Sequence, residues 1–170
     1  MIEKDQTSEP VFKISRSFDA PRDFVWKACT EPERMAQWWG PKGVTVGKYR
    51  MDLRVGGGYH YSMKTPDGHE MWGKFVYREI IKPEKLVFVN SFSDKDGGLT
   101  RHPMSPTWPL EMLSTFTFIE IDGKTTFTIQ WTPLTSKEDE LKTFKDGMAG
   151  MNQGWGGTLE QLTSYLDNIQ

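Results

Sequence analysis

The feature that most restricts the fold is the spacing of apolar residues near the C-terminus. From position 141 onward they recur every three or four residues, straight through the glycine-rich segment GMAGMNQGWGG at 147–157. That spacing places side chains on one face of an α-helix. The pattern therefore predicts one continuous amphipathic helix carrying Leu141, Phe144, Met148, Met151, Trp155, Leu159, Leu162, Leu166 and Ile169.

The glycines in this helix form a stripe of their own. The segment lacks the lysine of a phosphate-binding GxxxxGK[ST] loop and does not match GxGxxG. A bare helical stripe lets the backbone approach something closely, either the sheet or a bound molecule. We expect Gly150 and Gly154 to contact the sheet, with Met151 and Trp155 beside any remaining pocket. The stripe is Gly147, Gly150, Gly154 and Gly157, beside Met148, Met151 and Trp155.

The middle of the chain alternates with a period of two and predicts strands. The breaks VGGG, TPDG, KPE and IDG are short and contain turn residues, which indicates hairpins and an antiparallel meander. The segment 93–110 contains three prolines and reads as a long surface loop, either a lid or disordered. The predicted strands are 12–18, 44–54, 58–64, 70–81, 85–92, 112–120 and 124–133, with two short helices after the first.

Large side chains on the predicted strands share one face, which is either core or a cavity wall. Trp38 and Trp39 in WWGPKG either line a pocket mouth or cap the end of the sheet. Arg54 and Glu79 are charged residues in apolar strands, and form either surface ion pairs or polar groups inside a cavity. The strand candidates for a cavity wall are Tyr59, Tyr61, Met63, Phe116, Phe118, Phe127 and Trp131; the helix candidates are Met148, Met151 and Trp155.

Composition excludes several classes of protein. A formal net charge of −2 without a basic cluster argues against nucleic-acid binding. Residues 1–10 are polar and predict a flexible leader, and no apolar run is long enough for membrane insertion. The single cysteine, Cys29, fits a reducing cytoplasm. His60, His69 and His102 lack ligand spacing on a shared element, so we expect neither a metal nor a cofactor.

Several segments in order resemble one protein family. They are FDAPRDFVWKACTEPERMAQWWGPKG, LRVGGGYHY, DGHEMWGKF, PEKLVF and GMAGMNQGWGGTLEQLTSYL. Together they are similar to the C-terminal domain of the activator of the ninety-kilodalton heat-shock chaperone's ATPase (the AHSA type), in the START-like or SRPBCC superfamily. The resemblance runs from about residue 11 to 168, and predicts one START-like domain over 11–170.

The resemblance implies an α+β helix-grip fold, as in Bet v 1. Such a fold is a curved antiparallel sheet of six to seven strands, with two short helices after strand 1 and a long C-terminal helix packed over the sheet. The space between sheet and helix in the superfamily is often a cavity for apolar molecules. A fold of this kind implies a cavity but not a reaction.

Three functions follow as hypotheses. The first is binding of a small hydrophobic or amphipathic molecule, such as a lipid, in the cavity. The second is contact with the ninety-kilodalton chaperone. The full activator uses a separate N-terminal domain for that contact, so we expect at most weak binding by these 170 residues. The third is a cyclase or lyase acting on a cavity-bound substrate, which requires a titratable group facing the pocket.

Overall fold

The computed structural model describes residues 10–169. The predicted leader at 1–10 lies outside the described residues, apart from Pro10. The elements are β1 (Phe12–Phe18), α1 (Arg22–Thr30), α2 (Pro32–Met35), β2 (Thr45–Met51), β3 (Gly58–Lys64), β4 (Glu70–Ile81), β5 (Lys85–Ser93), β6 (Leu99–Thr100), β7 (Met112–Ile121), β8 (Lys124–Pro133), α3 (Glu138–Asp146) and α4 (Met148–Asn168).

The strands form one antiparallel sheet in the order β1-β8-β7-β5-β4-β3-β2. The two-residue β6 pairs with β5 beyond the end of β7. Register shifts in β2 and β4 mark bulges, which increase the twist and bend of a sheet. Every predicted long strand is present, with ends within three residues of the prediction. The predicted helix-grip architecture is confirmed.

The inner face of the sheet carries the core. Cross-strand pairing places Phe116 opposite Ile129 and Phe118 opposite Phe127, and all four side chains are almost fully buried. At this end of the sheet α1 packs on β7 and β8, and α4 packs on β1. Burying one large apolar side chain contributes about 1.5–3 kcal/mol. This end of the inner face is therefore a closed, stabilising core.

The predicted continuous C-terminal helix is wrong at one residue. Gly147 has φ −89° and ψ 5°, which ends α3, and α4 starts at the next residue. A Cβ at Gly147 would lie 3.1 Å from the Trp108 ring, so this loop side chain occupies the space beside the joint. The Met151 amide still donates to the Gly147 carbonyl, which keeps the two segments connected. The spacing of apolar residues cannot reveal such a helix break, because the same spacing continues across it.

Candidate functional site

A cavity of about 430 Å³ lies between the sheet and the first half of α4, and is partly open to solvent. Its volume is in the range of small-molecule sites. The sheet supplies residues from β3, β4, β5, β7 and β8, and the loop before β7 supplies another side. The wall consists of Trp39, Gly40, Pro41, Tyr61, Met63, Met71, Trp72, Gly73, Phe92, Trp108, Pro109, Leu110, Met112, Trp131, Gly147, Gly150, Met151, Gly154 and Trp155, with the polar residues Asn90, Ser91, His102 and Thr158.

The two central glycines of the stripe, Gly150 and Gly154, face open space rather than the sheet. No atom lies within 4 Å of the position that a Cβ would take at Gly150 or Gly154, apart from the helix itself. The expected sheet contact at these two glycines is therefore wrong. Trp155 provides the physical reason, because its ring meets Trp39 at 5.4 Å and Trp131 at 5.7 Å between centroids. These rings stand between the helix backbone and the sheet and hold the two apart.

Half of the candidate side chains line the cavity, and the other half do not. Those in the wall are Trp39, Tyr61, Met63, Trp131, Met151 and Trp155. Those outside it are Trp38, Tyr59, Phe116, Phe118 and Phe127, which are buried in the core, and Met148, which packs on the core from its edge. Trp38 is fixed there by a 2.9 Å hydrogen bond from its indole nitrogen to the Ala28 carbonyl. Phe116, Phe118 and Phe127 lie at the closed end of the sheet, and core packing there excludes them from the cavity.

The two charged candidates lie outside the cavity. Arg54 is beyond the end of β2 and pairs with Asp52 at 2.8 Å, with both side chains mostly exposed. Glu79 pairs with Lys85 at 3.2 Å, also partly exposed. The bulge in β4 explains Glu79, because the register shift after Tyr77 turns it to the face opposite Tyr77. Both residues form surface ion pairs.

The loop before β7 is ordered and covers one side of the cavity. Arg101 donates to the Glu140 carboxylate at 2.5 Å and to the Trp108 carbonyl at 3.2 Å. Trp108 packs on Phe144 with ring centroids 5.6 Å apart. Sequence reasoning missed His102 and Trp108, because a proline-rich loop has no periodicity that shows where a side chain points.

Asn90 is the third residue that sequence reasoning missed. It lies on the inner face of β5, paired with Phe75 on β4 and Met112 on β7. The Ser114 hydroxyl, which is fully buried, donates a hydrogen bond to the Asn90 side-chain oxygen. A signal was present, since Asn90 shares the parity of Leu86, a core position on the same strand.

The wall holds titratable groups in their neutral forms. Burial raises the pKa of Tyr61 to about 12, although the nearby Trp39 indole partly opposes the shift. Burial also lowers the pKa of His102, whose Nδ1 accepts a 3.0 Å hydrogen bond from the Met104 amide. None of the described lining residues is Asp, Glu, Lys or Arg. Near neutral pH the described wall therefore offers no side-chain charge to pair with an ion.

The described residues show no metal site or activated thiol. No group of three or more His, Cys, Asp or Glu side chains within 10–169 could hold a metal ion. His60 lies on the outer face, stacked on Trp72 and 3.1 Å from the Ser93 hydroxyl. Burial raises the pKa of Cys29 well above its usual value, which leaves a protonated, unreactive thiol.

The fold and cavity define a helix-grip domain, in which one long helix crosses the inner face of an antiparallel sheet. The chain belongs to the family described as activator of Hsp90 ATPase homolog 1-like protein, whose sequence model matches residues 19–167. No curated protein is significantly similar to the chain. Across 10–169, no helix is long and apolar enough to cross a membrane.

Solved structures of bacterial proteins have the same fold. A Mycobacterium smegmatis protein is 25% identical, with a TM-score of 0.73, over 92% of this chain and 90% of its own. An Arthrobacter aurescens protein is 26% identical, with a TM-score of 0.75, over 93% of this chain and 86% of its own. A Nitrosomonas europaea protein, at 23% identity and a TM-score of 0.75, covers 95% of this chain and 96% of its own.

Proposed function

We propose that the protein binds a small hydrophobic or amphipathic molecule in the cavity between the sheet and α4. The open space beside Gly150 and Gly154 carries this proposal. Each glycine in a helix interior costs about 1 kcal/mol relative to alanine, and Gly150 and Gly154 do not serve close packing on the sheet. Space for a ligand gives these glycines a role. Met63, Met71 and Met151 add adaptable surface to the aromatic wall, which suits a variable apolar partner.

Thermal unfolding with a compound library tests the proposal. A ligand at one hundred times its Kd stabilises a protein by about 2.7 kcal/mol, which raises the Tm of a chain this size by about 5–10 °C. Gly154→Leu fills the cavity and is expected to abolish the shift. Gly156→Leu is the matched control, because it makes the same change in the same helix outside the wall.

The expected result is a set of compounds that stabilise the wild type and Gly156→Leu but not Gly154→Leu. Two findings together would contradict the proposal: no compound shifts the Tm of the wild type, and an experimental structure shows side chains filling the cavity.

We further propose a cytoplasmic location, because the single cysteine, Cys29, is a free buried thiol, as is usual in reducing compartments.

Chaperone contact is a second candidate, favoured by the description of the family. Ile119 and Ile121, at the end of β7, are large apolar side chains exposed beside the hairpin to β8 and are available to a partner protein. The ATPase rate of the ninety-kilodalton chaperone is measured with and without this protein, alongside co-elution. Absence of both stimulation and co-elution would remove this candidate.

Chemistry on a cavity-bound substrate is a third candidate, because His102 and Tyr61 are titratable groups with shifted pKa values in the wall. Compounds that raise the Tm are incubated with the protein and followed by mass spectrometry. Conversion that is lost in His102→Gln or Tyr61→Phe would support an enzyme. Recovery of every compound unchanged would leave binding alone.

A further inference from the structure

Asn90 is a polar side chain in the middle of an aromatic surface. Its strand, β5, is the central strand of the main sheet order, and Asn90 lies between Phe75 and Met112 on the inner face. Phe88 and Phe92 flank it along the strand with the same parity. An amide in such surroundings loses hydration, and its hydrogen-bonding groups need partners.

Ser114 fixes the orientation of the Asn90 amide. Ser114 is fully buried, paired with Phe88 and Trp131 on the neighbouring strands. Its hydroxyl donates to the Asn90 side-chain oxygen. An asparagine amide has one oxygen acceptor and one NH₂ group with two donors. With the oxygen turned toward Ser114, the NH₂ group is the part of Asn90 directed to other partners, and Asn90 lines the cavity.

The rest of the wall offers no charged partner to a bound molecule. The indole nitrogen of Trp39 has almost no exposed surface and interacts with the Tyr61 hydroxyl, so it is not presented to the cavity. The described wall supplies no Lys or Arg to balance a negative charge. A bound anion would therefore lose its hydration without gaining a counter-ion.

We propose that the cavity selects neutral molecules that carry a carbonyl-type oxygen on an apolar body. Asn90, oriented by Ser114, donates a hydrogen bond to that oxygen. This inference rests on the proposed function and names the chemical class of its ligand. It assigns Asn90 as the residue that determines specificity and Ser114 as its positioning residue.

Three probes of one shape separate the hydrogen bond from apolar burial. They are 2-acetylnaphthalene, which carries a ketone, 2-isopropenylnaphthalene, in which CH₂ replaces the oxygen, and 2-naphthoate, which is anionic at pH 7. Their Kd values are measured for the wild type and Asn90→Leu. For each probe, the Kd of Asn90→Leu is divided by the Kd of the wild type. Differences in hydration between the free probes cancel in this ratio.

Asn90→Leu is expected to raise the Kd of the ketone about fivefold, as for loss of one hydrogen bond, and to leave the Kd of the alkene unchanged or lower. Ser114→Ala is expected to act in the same direction with a smaller change. The side-chain NH₂ resonances of Asn90 in the wild type should shift with the ketone and not with the alkene. Wild-type 2-naphthoate binding is expected to be the weakest of the three.

Binding of the alkene by Asn90→Leu shows that this variant is folded with an intact cavity. The double variant Asn90→Leu/Ser114→Ala removes both members of the buried pair, and repeats the comparison if the single variant is unstable. Equal changes for ketone and alkene, or tighter binding of 2-naphthoate than of the ketone, would overturn the assignment while the proposed function stands. Failure of both neutral probes to bind the wild type counts against the assignment and the proposed function together.

Discussion

The two halves of α4 lie over the same sheet and differ in what they place against it. In the second half, Leu159, Leu162 and Leu166 are at most 1% exposed and belong to the core. In the first half, Gly150 and Gly154 leave space next to the helix. The difference shows that side-chain size along one helix decides where the helix-grip fold is solid and where it is hollow.

The two halves of α4 also contribute differently to the free energy of folding. Each buried leucine contributes about 1.5–3 kcal/mol to folding, whereas each glycine in the helix interior costs about 1 kcal/mol relative to alanine. The leucine half therefore offsets the cost of the glycine half. Substitutions in the two halves should differ in both sign and size, and the predictions below test this division in order of expected effect.

The largest effect is expected in the leucine half. Leu162→Ala removes a side chain with no solvent exposure and leaves a void, so the free energy of unfolding should fall by about 2–5 kcal/mol in urea denaturation. Leu134→Ala makes the same change at an exposed position and should have little effect. Similar losses for the two variants would mean that the second half of α4 is not the anchor.

Gly73→Ala tests the sheet side of the cavity. An added Cβ would lie 2.6 Å from the Tyr61 hydroxyl oxygen, so the phenol ring must move. Overpacking of this kind costs about 1–3 kcal/mol. Urea denaturation should therefore show a clear loss of stability. In a Tyr61→Ala background the clash is gone. Gly73→Ala should therefore cost less stability there than it does in the wild type.

The loop before β7, which covers the cavity beside the glycine half of α4, should be held less firmly at low pH. Burial opposes ionisation of Glu140, but hydrogen bonds from Thr135 and Arg101 outweigh it and hold the pKa of this carboxyl below its usual value of 4.5. Because the pKa is depressed in the folded state, this stabilisation is present above pH 4.5 and is lost as the pH falls through the lower, folded-state value. Urea denaturation at several pH values measures it.

Glu140→Gln should reduce this acid-dependent loss and lower stability at pH 7 by about 1 kcal/mol, since the partly exposed Arg101 is screened by solvent. Glu138→Gln, in the same first turn but exposed, is the control. An identical pH profile for Glu140→Gln and the wild type would show that this ion pair does not hold the loop to α3.

The smallest change is expected at Gly154 and has the opposite sign. Gly154→Ala adds a methyl group into open space and removes the helical cost of glycine, so stability should rise by up to about 1 kcal/mol. Thermal unfolding measures the change. A loss of stability instead would mean that the helix backbone lies against the sheet at this point, and the contrast between the two halves would fail.

Sequence periodicity was sufficient for the strands, and the family resemblance supplied the helix-grip architecture. Strands 58–64, 70–81 and 124–133 were predicted with the bounds that the structure has, because a strand with one buried face alternates strictly. Parity also placed Tyr61, Phe118 and Trp131 on one face. The alternation of side chains along a strand cannot show which end of that face the helices cover, because this depends on tertiary packing.

The remaining differences have local physical causes. The bulge in β4 reverses the parity at Glu79, and strict alternation contains no sign of an extra residue. His102 and Trp108 reach the cavity from a loop whose path depends on the contacts of Arg101 and Thr107 with α3. Asn90 alone had a readable signal, as a polar residue at a core-phase position.

Four indoles form a connected chain from the closed core to the cavity. Trp38 meets Trp39 at 5.6 Å, Trp39 meets Trp155 at 5.4 Å, and Trp155 meets Trp131 at 5.7 Å, with edge-to-face geometry throughout. We expect indoles this close to be coupled electronically, so that near-ultraviolet absorption and emission reflect the four rings together. A molecule bound beside Trp155 should therefore change the near-ultraviolet signal of all four indoles, so the proposed binding can be followed without a label.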